Sequence, residues 1–220
     1  MGSPRLLRSL AMTKFCYSLS GYQNVIIQFM KLNARQMRDL EENKAQVEIK
    51  AVKRNPIYFI LENIYDTYNI GGIFRLADAL AVEKIYLCGE METPPNHKIK
   101  KASIGTYKVV PWEYCKTVTD AITIIHVAHN IKKETNNQKV QVIAVEQAPN
   151  SIPYTKAKYN FPVALIFGNE TYGVLPETLK LADQIVEIPM WGINKSLNVI
   201  VSAAIVSYFA VSTISSFKTK

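Results

Sequence analysis

Cysteine is scarce and scattered: Cys16, Cys88 and Cys115 form no Cys-x-x-Cys pair and leave an odd residue over. That excludes a disulfide scaffold and a thiolate zinc module, and points to free thiols in a reducing compartment. Histidine is as rare. His126 and His129 are spaced i, i+3, but with His97 far off and no acid or thiol beside them they complete no metal set, so no metal is expected. The chain has no Gly-x-Gly-x-x-Gly run, which removes the usual dinucleotide loop. It shows no internal repeat and no low-complexity tract. Residues 1–29 contain no acidic side chain at all, with three basic residues and several serines. Two readings fit them: an organelle transit peptide, or an extension ahead of a natural start at Met30. The first implies an organellar protein and the second a cytoplasmic one. The cytoplasm is the primary expectation.

What is present is a chain of 220 residues with 48% hydrophobic and 20% charged content, enough for one domain with a substantial core and an appendage. The net charge of +8 is uneven, because residues 1–55 carry ten Lys/Arg against four Asp/Glu. This basic N-terminal arm suits a polyanionic partner such as RNA or an acidic membrane surface. Within it, 33–53 reads as a charged helix too polar for a core. A membrane-tethered reading rests only on residues 196–217, which carry no charge. Asn198, Ser202, Ser207 and other polar groups interrupt that run, so a helix buried against a sheet or a second subunit fits it better than a bilayer anchor.

From Pro56 onward strand and helix patterns alternate. Apolar strands are expected at 57–61, 84–88, 140–145, 163–167 and 184–188, with a short one at 108–111. A polar loop is expected at 62–68, helical periodicity covers 69–80 and 117–133, and a long apolar helix follows Leu197. The fold class is therefore α/β, a mostly parallel sheet with helices on both faces, over residues 56–220.

The chain is organised around 163–208. Val163–Phe167 breaks at once into Gly168-Asn169-Glu170-Thr171-Tyr172-Gly173, and the next strand ends at Pro189-Met190-Trp191-Gly192 before Ser196-Leu197-Asn198. Alone, the first loop is an ordinary turn and Ser196 an ordinary helix cap. Together, two strand ends bring Asn169, Glu170, Ser196 and Asn198 to one crevice, where open α/β sheets bind ligands. A third group, Asn69-x-Gly71-x-x-x-Arg75, puts an amide, a glycine and a cation at the head of a helix after a strand, an arrangement that favours phosphate.

Taken in order, these three groups resemble the motifs of the SpoU/TrmH branch of the SPOUT RNA methyltransferases. The match extends over about residues 56–210 and includes Lys101-x-Ser103-x-Gly105 and Val110-Pro111-Trp112 between the motifs. Ile200 departs from it, standing where the family usually has a small residue. The resemblance implies a trefoil knot at the C-terminal end and a homodimer with the last helix in its interface. It implies S-adenosyl-methionine held around Gly168, Asn169, Ile188, Met190 and Leu197, and methyl transfer to a ribose 2′-hydroxyl of tRNA or rRNA. Arg75 would activate that hydroxyl or clamp the neighbouring phosphate, a guanidinium being a poor base at neutral pH. Asn69, Glu170, Ser196 and Asn198 would orient the ribose and the arginine. The alternative is a non-catalytic RNA-binding protein with the same fold.

Overall fold

The computed structural model describes residues 31–41, 52–132 and 139–214, and the account below concerns the compact unit Leu32–Lys220. Residues 1–30 lie outside the described residues, and so do the transit-peptide and Met30 readings. In chain order the elements are α1 (Ala34–Asp39), β1 (Asn55–Glu62), α2 (Thr67–Ala79), β2 (Val82–Cys88), α3 (His97–Ser103), β3 (Trp112–Cys115), α4 (Val118–Lys132), β4 (Gln141–Val145), β5 (Ile152–Pro153), β6 (Val163–Phe167), α5 (Pro176–Leu179), β7 (Gln184–Glu187) and α6 (Val199–Ser212). The seven strands form one sheet in the order β3-β2-β1-β6-β4-β7-β5, and every pairing is parallel.

Period-two alternation in the apolar runs divides the core between the two faces of the sheet. Ile57, Phe59 and Leu61 of β1 join Leu165 and Phe167 of β6, and α2, α3 and α6 cover that face with Ile73, Phe74, Ile99, Ala203 and Val206. Tyr58 and Ile60 point the other way with Ala164 and Ile166, under Val118, Ala121 and Ile125 of α4. The expected α/β architecture with a parallel sheet is thus present. Phe59 pairs with Ile85 on one side and Leu165 on the other, so β1 is an interior strand, next to the central β6. The chain runs outward from β1 through β2 to β3, then returns to the opposite side for β4 and β6. This reversal makes the C-terminal ends of β1 and β6 the switch point where such sheets bind ligands.

Several local expectations are corrected. No strand forms at 108–111: a 3-10 turn occupies Thr106–Lys108, and the strand begins at Trp112. Gly105 enters that turn at φ 89°, Thr106 Oγ1 donates to the Ser103 carbonyl, and Arg54 Nη2 donates to the carbonyl of Val109. These bonds use the backbone that a strand would need. The polar stretch 62–68 is not a loop throughout, because Glu62 ends β1 and Asp66 caps α2 by accepting from Tyr68 N–H. The basic cluster Lys98, Lys100 and Lys101 lies on a helix, α3, capped by Asn96. Of the charged helix expected at 33–53, the described part is helical only over Ala34–Asp39, with Leu40 extended after it. Lys108 Nζ donates to the carbonyls of Arg38 and Leu40, which seats α1 against the 3-10 turn.

Two further points bear on the partners expected. Among the described residues no helix is long and apolar enough to cross a membrane, and no group of His, Cys, Asp and Glu could hold a metal ion. Cys88 and Cys115 are free, buried and paired in register, and burial pushes both thiols up, which makes them poor nucleophiles.

Candidate active site

The first wall of the site is the turn after β6. All five residues of that strand are buried, and Asn169 and Gly173 then close the turn by exchanging backbone bonds of 3.0 and 2.9 Å. A Cβ on Gly168 would sit 2.2 Å from the backbone of Gly173 and Val174, so only glycine lets the turn close on itself. Asn169 is spent inside it: its Oδ1 accepts from Thr171 and Tyr172 N–H, and its Nδ2 donates to the Asn63 carbonyl. Two acids from neighbouring strand ends pin the same turn. Glu146, after β4, accepts from Val174 N–H at 2.8 Å. Glu62 accepts from Leu175 N–H at 2.9 Å and from the Thr178 hydroxyl. Burial pushes the Glu62 carboxyl up, against the pull of those two donors.

The second wall is 188–198, where every residue from Trp191 to Asn198 is exposed. Gln147 ties it to the end of β4 by donating to the Lys195 carbonyl at 2.6 Å. Asn198, not Ser196, caps the final helix: its Oδ1 accepts from Ile200 N–H at 2.8 Å. Its Nδ2 donates to Asn69 Oδ1 at 3.0 Å, and Asn69 Nδ2 donates to Glu170 Oε1 at 2.8 Å. Glu170 in turn accepts from the backbone N–H groups of Tyr65 and Asp66. One hydrogen-bonded chain therefore joins the ends of β1, β6 and the last loop. Alongside it Ile200 packs over Gly72, where a Cβ would sit 2.4 Å from Ile200 Cδ1. The large residue at 200 is accommodated by the missing side chain opposite it.

Between the walls lies a cleft of about 550 Å³. Gly168, Asn169, Ile188, Met190 and Leu197 all line it, as do Glu170, Ser196 and Asn198. Asn69 stands behind these, nearly buried and reaching the cleft through its two hydrogen bonds. Arg75 is not brought in. It is exposed on α2 six residues beyond Asn69, about 9 Å along the helix axis, and makes no hydrogen bond or ion pair among the described residues.

The model of the SpoU rRNA methylase family matches residues 56–208, which contain every one of these groups. The chain belongs to that family. Among SpoU relatives it is 29% identical to the tRNA (guanosine(18)-2′-O)-methyltransferase of Escherichia coli over 166 residues, covering 74% of this chain and 66% of the relative. The enzyme of the same name from Thermus thermophilus is 30% identical, with 77% and 82% covered. In structure the chain is similar to the AdoMet-bound rRNA methyltransferase of Sinorhizobium meliloti, with a TM-score of 0.62 at 26% identity, covering 81% of this chain and 60% of that one. It is likewise similar to the TrmH/SpoU tRNA modifying enzyme of A. aeolicus, with a TM-score of 0.58 at 27% identity, covering 77% and 81%. The chain thus spans 66% of the E. coli relative, just under two thirds, and 60% of the S. meliloti structure.

For this SpoU-family chain, sequence reasoning missed Glu62, Glu146 and Gln147. The signals were present: Glu62 is the lone acid closing an apolar strand, and Glu146 and Gln147 follow a strand whose position was expected. The rule that strand ends line the crevice applies to β1 and β4 as well as to β6 and β7.

Proposed function

We propose that the chain is an S-adenosyl-methionine-dependent methyltransferase acting on a ribose 2′-hydroxyl of tRNA or rRNA. The observation that carries this reading is the chain Asn198–Asn69–Glu170, which unites all three family motifs at the mouth of one cleft. The cleft suits the cofactor in size, falling within the roughly 300–1,000 Å³ of small-molecule sites. It suits it in charge as well, since Glu146, Glu170 and Glu187 line it against a single Lys195, and the cofactor is a cation. Gly168, Asn169, Ile188, Met190 and Leu197 would hold it, Asn169 by shaping the turn rather than by a free polar group. Bound there, S-adenosyl-methionine supplies a methyl group activated by its sulfonium.

The chain's own residues supply position and electrostatics. Glu170 is fixed by three N–H donors, and Asn69 and Asn198 fix each other, so the polar wall beside the ribose needs little reorganisation. Ser196, exposed on the cleft, offers a hydroxyl that would orient the ribose. Arg75 acts from outside the cleft, as a clamp on the phosphate next to the target or as a stabiliser of the developing alkoxide. In a transfer that requires in-line attack, such placement is a main source of rate.

Calorimetry should show one S-adenosyl-methionine site per chain. Mapping of ribose methylation in RNA from cells with and without the protein should show one or a few positions lost. Cofactor binding with no lost position would favour the non-catalytic RNA-binding reading.

The same proposal takes the chain as a homodimer. Helix α6 is apolar almost all round, yet Val201 and Tyr208 are 45% and 55% exposed on it, and Trp191 and Leu197 are exposed beside it. A helix of that composition belongs in an interface. Sedimentation of a monomer at micromolar concentration would refute the dimer. We also read 188–212 as the knotted segment, a reading supported by the Gln147–Lys195 tie and to be checked by tracing the chain in an experimental map. The basic arm, residues 1–55, would add phosphate contacts, so deleting it should flatten the salt dependence of RNA binding. The cytoplasm is the proposed compartment, or an organelle if residues 1–29 direct it there; fractionation decides.

A further inference from the structure

A second, shallower cleft of about 600 Å³ opens on the same rim of the sheet, at the ends of β2 and β3. Gly89, Glu90, Met91 and Thr93 form one side of it, and Tyr114 and Lys116 the other. We propose that it binds one unpaired nucleotide of the RNA substrate, flanking the nucleotide that is methylated, with the base stacked on Tyr114 and the phosphate held by Lys116. This rests on the RNA methyltransferase reading above.

The lining has the chemistry of a stacking site. Tyr114 is 50% exposed, although it lies in a strand, and neither its hydroxyl nor the Lys116 ammonium has a partner among the described residues. Met91 supplies an apolar floor, being half-buried against the core beneath. An exposed ring beside an unpaired cation is how sequence-tolerant RNA sites combine stacking with phosphate neutralisation. The charge nearby has the right sign. The loop leaving the cleft turns at Thr93–Asn96 into α3, which exposes Lys98, Lys100 and Lys101. Within the cleft Glu90 is balanced by Lys116, and along the edge Lys98, Lys100 and Lys101 face one exposed acid, Glu92, which Asn96 Nδ2 engages at 3.2 Å.

Position links the two clefts. β3 is three strands from β6, about 14 Å across the rim, a span that a few unpaired nucleotides bridge. Between them the loop after β1 and the head of α2 expose two further rings, Tyr65 and Tyr68. Beneath this path Asn63 holds both clefts: its Oδ1 accepts from Glu90 N–H at 2.8 Å, and its carbonyl accepts from Asn169 Nδ2 at 2.6 Å. Asn63 takes a left-handed φ of 53° to do so, and Gly89, itself at φ 79°, leaves open the space that Asn63 Oδ1 fills, 2.1 Å from where a Cβ would stand. The loops that would grip a flanking base and shape the cofactor turn are therefore braced on one residue.

The test uses the full chain and two labelled probes, an unpaired ten-nucleotide oligoribonucleotide of mixed sequence and a blunt RNA duplex. Anisotropy should show Tyr114→Ala weakening the unpaired probe by about 5- to 100-fold, while Tyr114→Phe stays close to the parent. Lys116→Ala should lower the log–log salt slope by about 0.7. Duplex binding and S-adenosyl-homocysteine binding should be unchanged in all three. Unpaired-probe binding by Tyr114→Ala and Lys116→Ala equal to the parent's overturns the inference and leaves the methyltransferase reading standing. A parent that binds S-adenosyl-homocysteine but neither RNA probe overturns both. Lys116 lies outside the strand, so its variant keeps the test decisive even if Tyr114→Ala fails to fold.

Discussion

Arg75→Ala is expected to slow methyl transfer by about 10²- to 10³-fold, the usual cost of losing one preorganised electrostatic stabiliser. Cofactor affinity and melting temperature should stay at the parent's values. The structure separates these readouts, because Arg75 is exposed, lies outside the cleft and bonds to no described residue. Surface substitutions of that kind usually move stability by less than about 0.5 kcal/mol. Arg75→Lys then distinguishes the two roles: a lysine keeps the charge but not the planar fork. Measurable activity in the lysine variant would assign a clamp by charge, and activity as low as alanine's would assign the fork. Turnover by Arg75→Ala within a few-fold of the parent, on its true RNA, would remove this arginine from the mechanism.

Gly168→Ala is expected to do the opposite, lowering stability and cofactor binding together. The added Cβ would meet backbone at 2.2 Å, and backbone closed by the Asn169–Gly173 pair cannot swing aside as a side chain end can. Overpacking typically costs about 1–3 kcal/mol. At the upper end, a melting temperature lower by roughly 6–12 °C follows for a domain of this size. The disturbed turn also forms a wall of the cleft, so S-adenosyl-methionine affinity should fall with it. Gly192→Ala is the control, since nothing lies within 4 Å of a Cβ there and its melting curve should match the parent's. A Gly168→Ala protein that melts with the parent would mean that the turn is not closed in this way. Loss of cofactor binding in a Gly168 variant is therefore not by itself a sign of steric exclusion of the ligand, because the turn's own backbone already requires glycine.

The sheet and two walls of the site were legible because their signals are strong and local. Val163–Phe167 is uninterruptedly apolar, and a glycine-bracketed polar run follows it without transition. The hydrogen bond between Asn69 and Asn198 was less legible, since 129 residues separate them and no local pattern encodes their meeting. Helix α3 was hidden by its seven residues and its lysines, with Ile99 and Ser103 its only buried side chains. The strand start at Trp112 was displaced in the reading by apolar Val109 and Val110, which the structure uses to leave a 3-10 turn. The roles of Glu62 and Glu146 depend on donors contributed by residues 174–178, and such long-range partners leave no trace in the windows around each acid. Arg75 shows the converse limit. Its motif was legible, but its place outside the cleft is a matter of helix phase against a distant loop.

Asn198 has an implication for how the protein is made. It caps α6 and supplies one of the two side-chain bonds that hold Asn69 among the described residues, the other coming from Glu170. A chain emerging from the ribosome completes β1, α2 and most of the sheet while residue 198 is still unsynthesised. During that interval Glu170 can reach Asn69, but the second wall of the cleft does not exist. The cleft thus waits on residues 188–198 for its second wall, and a chain that has not yet made them presents only the β6 turn to the methyl donor.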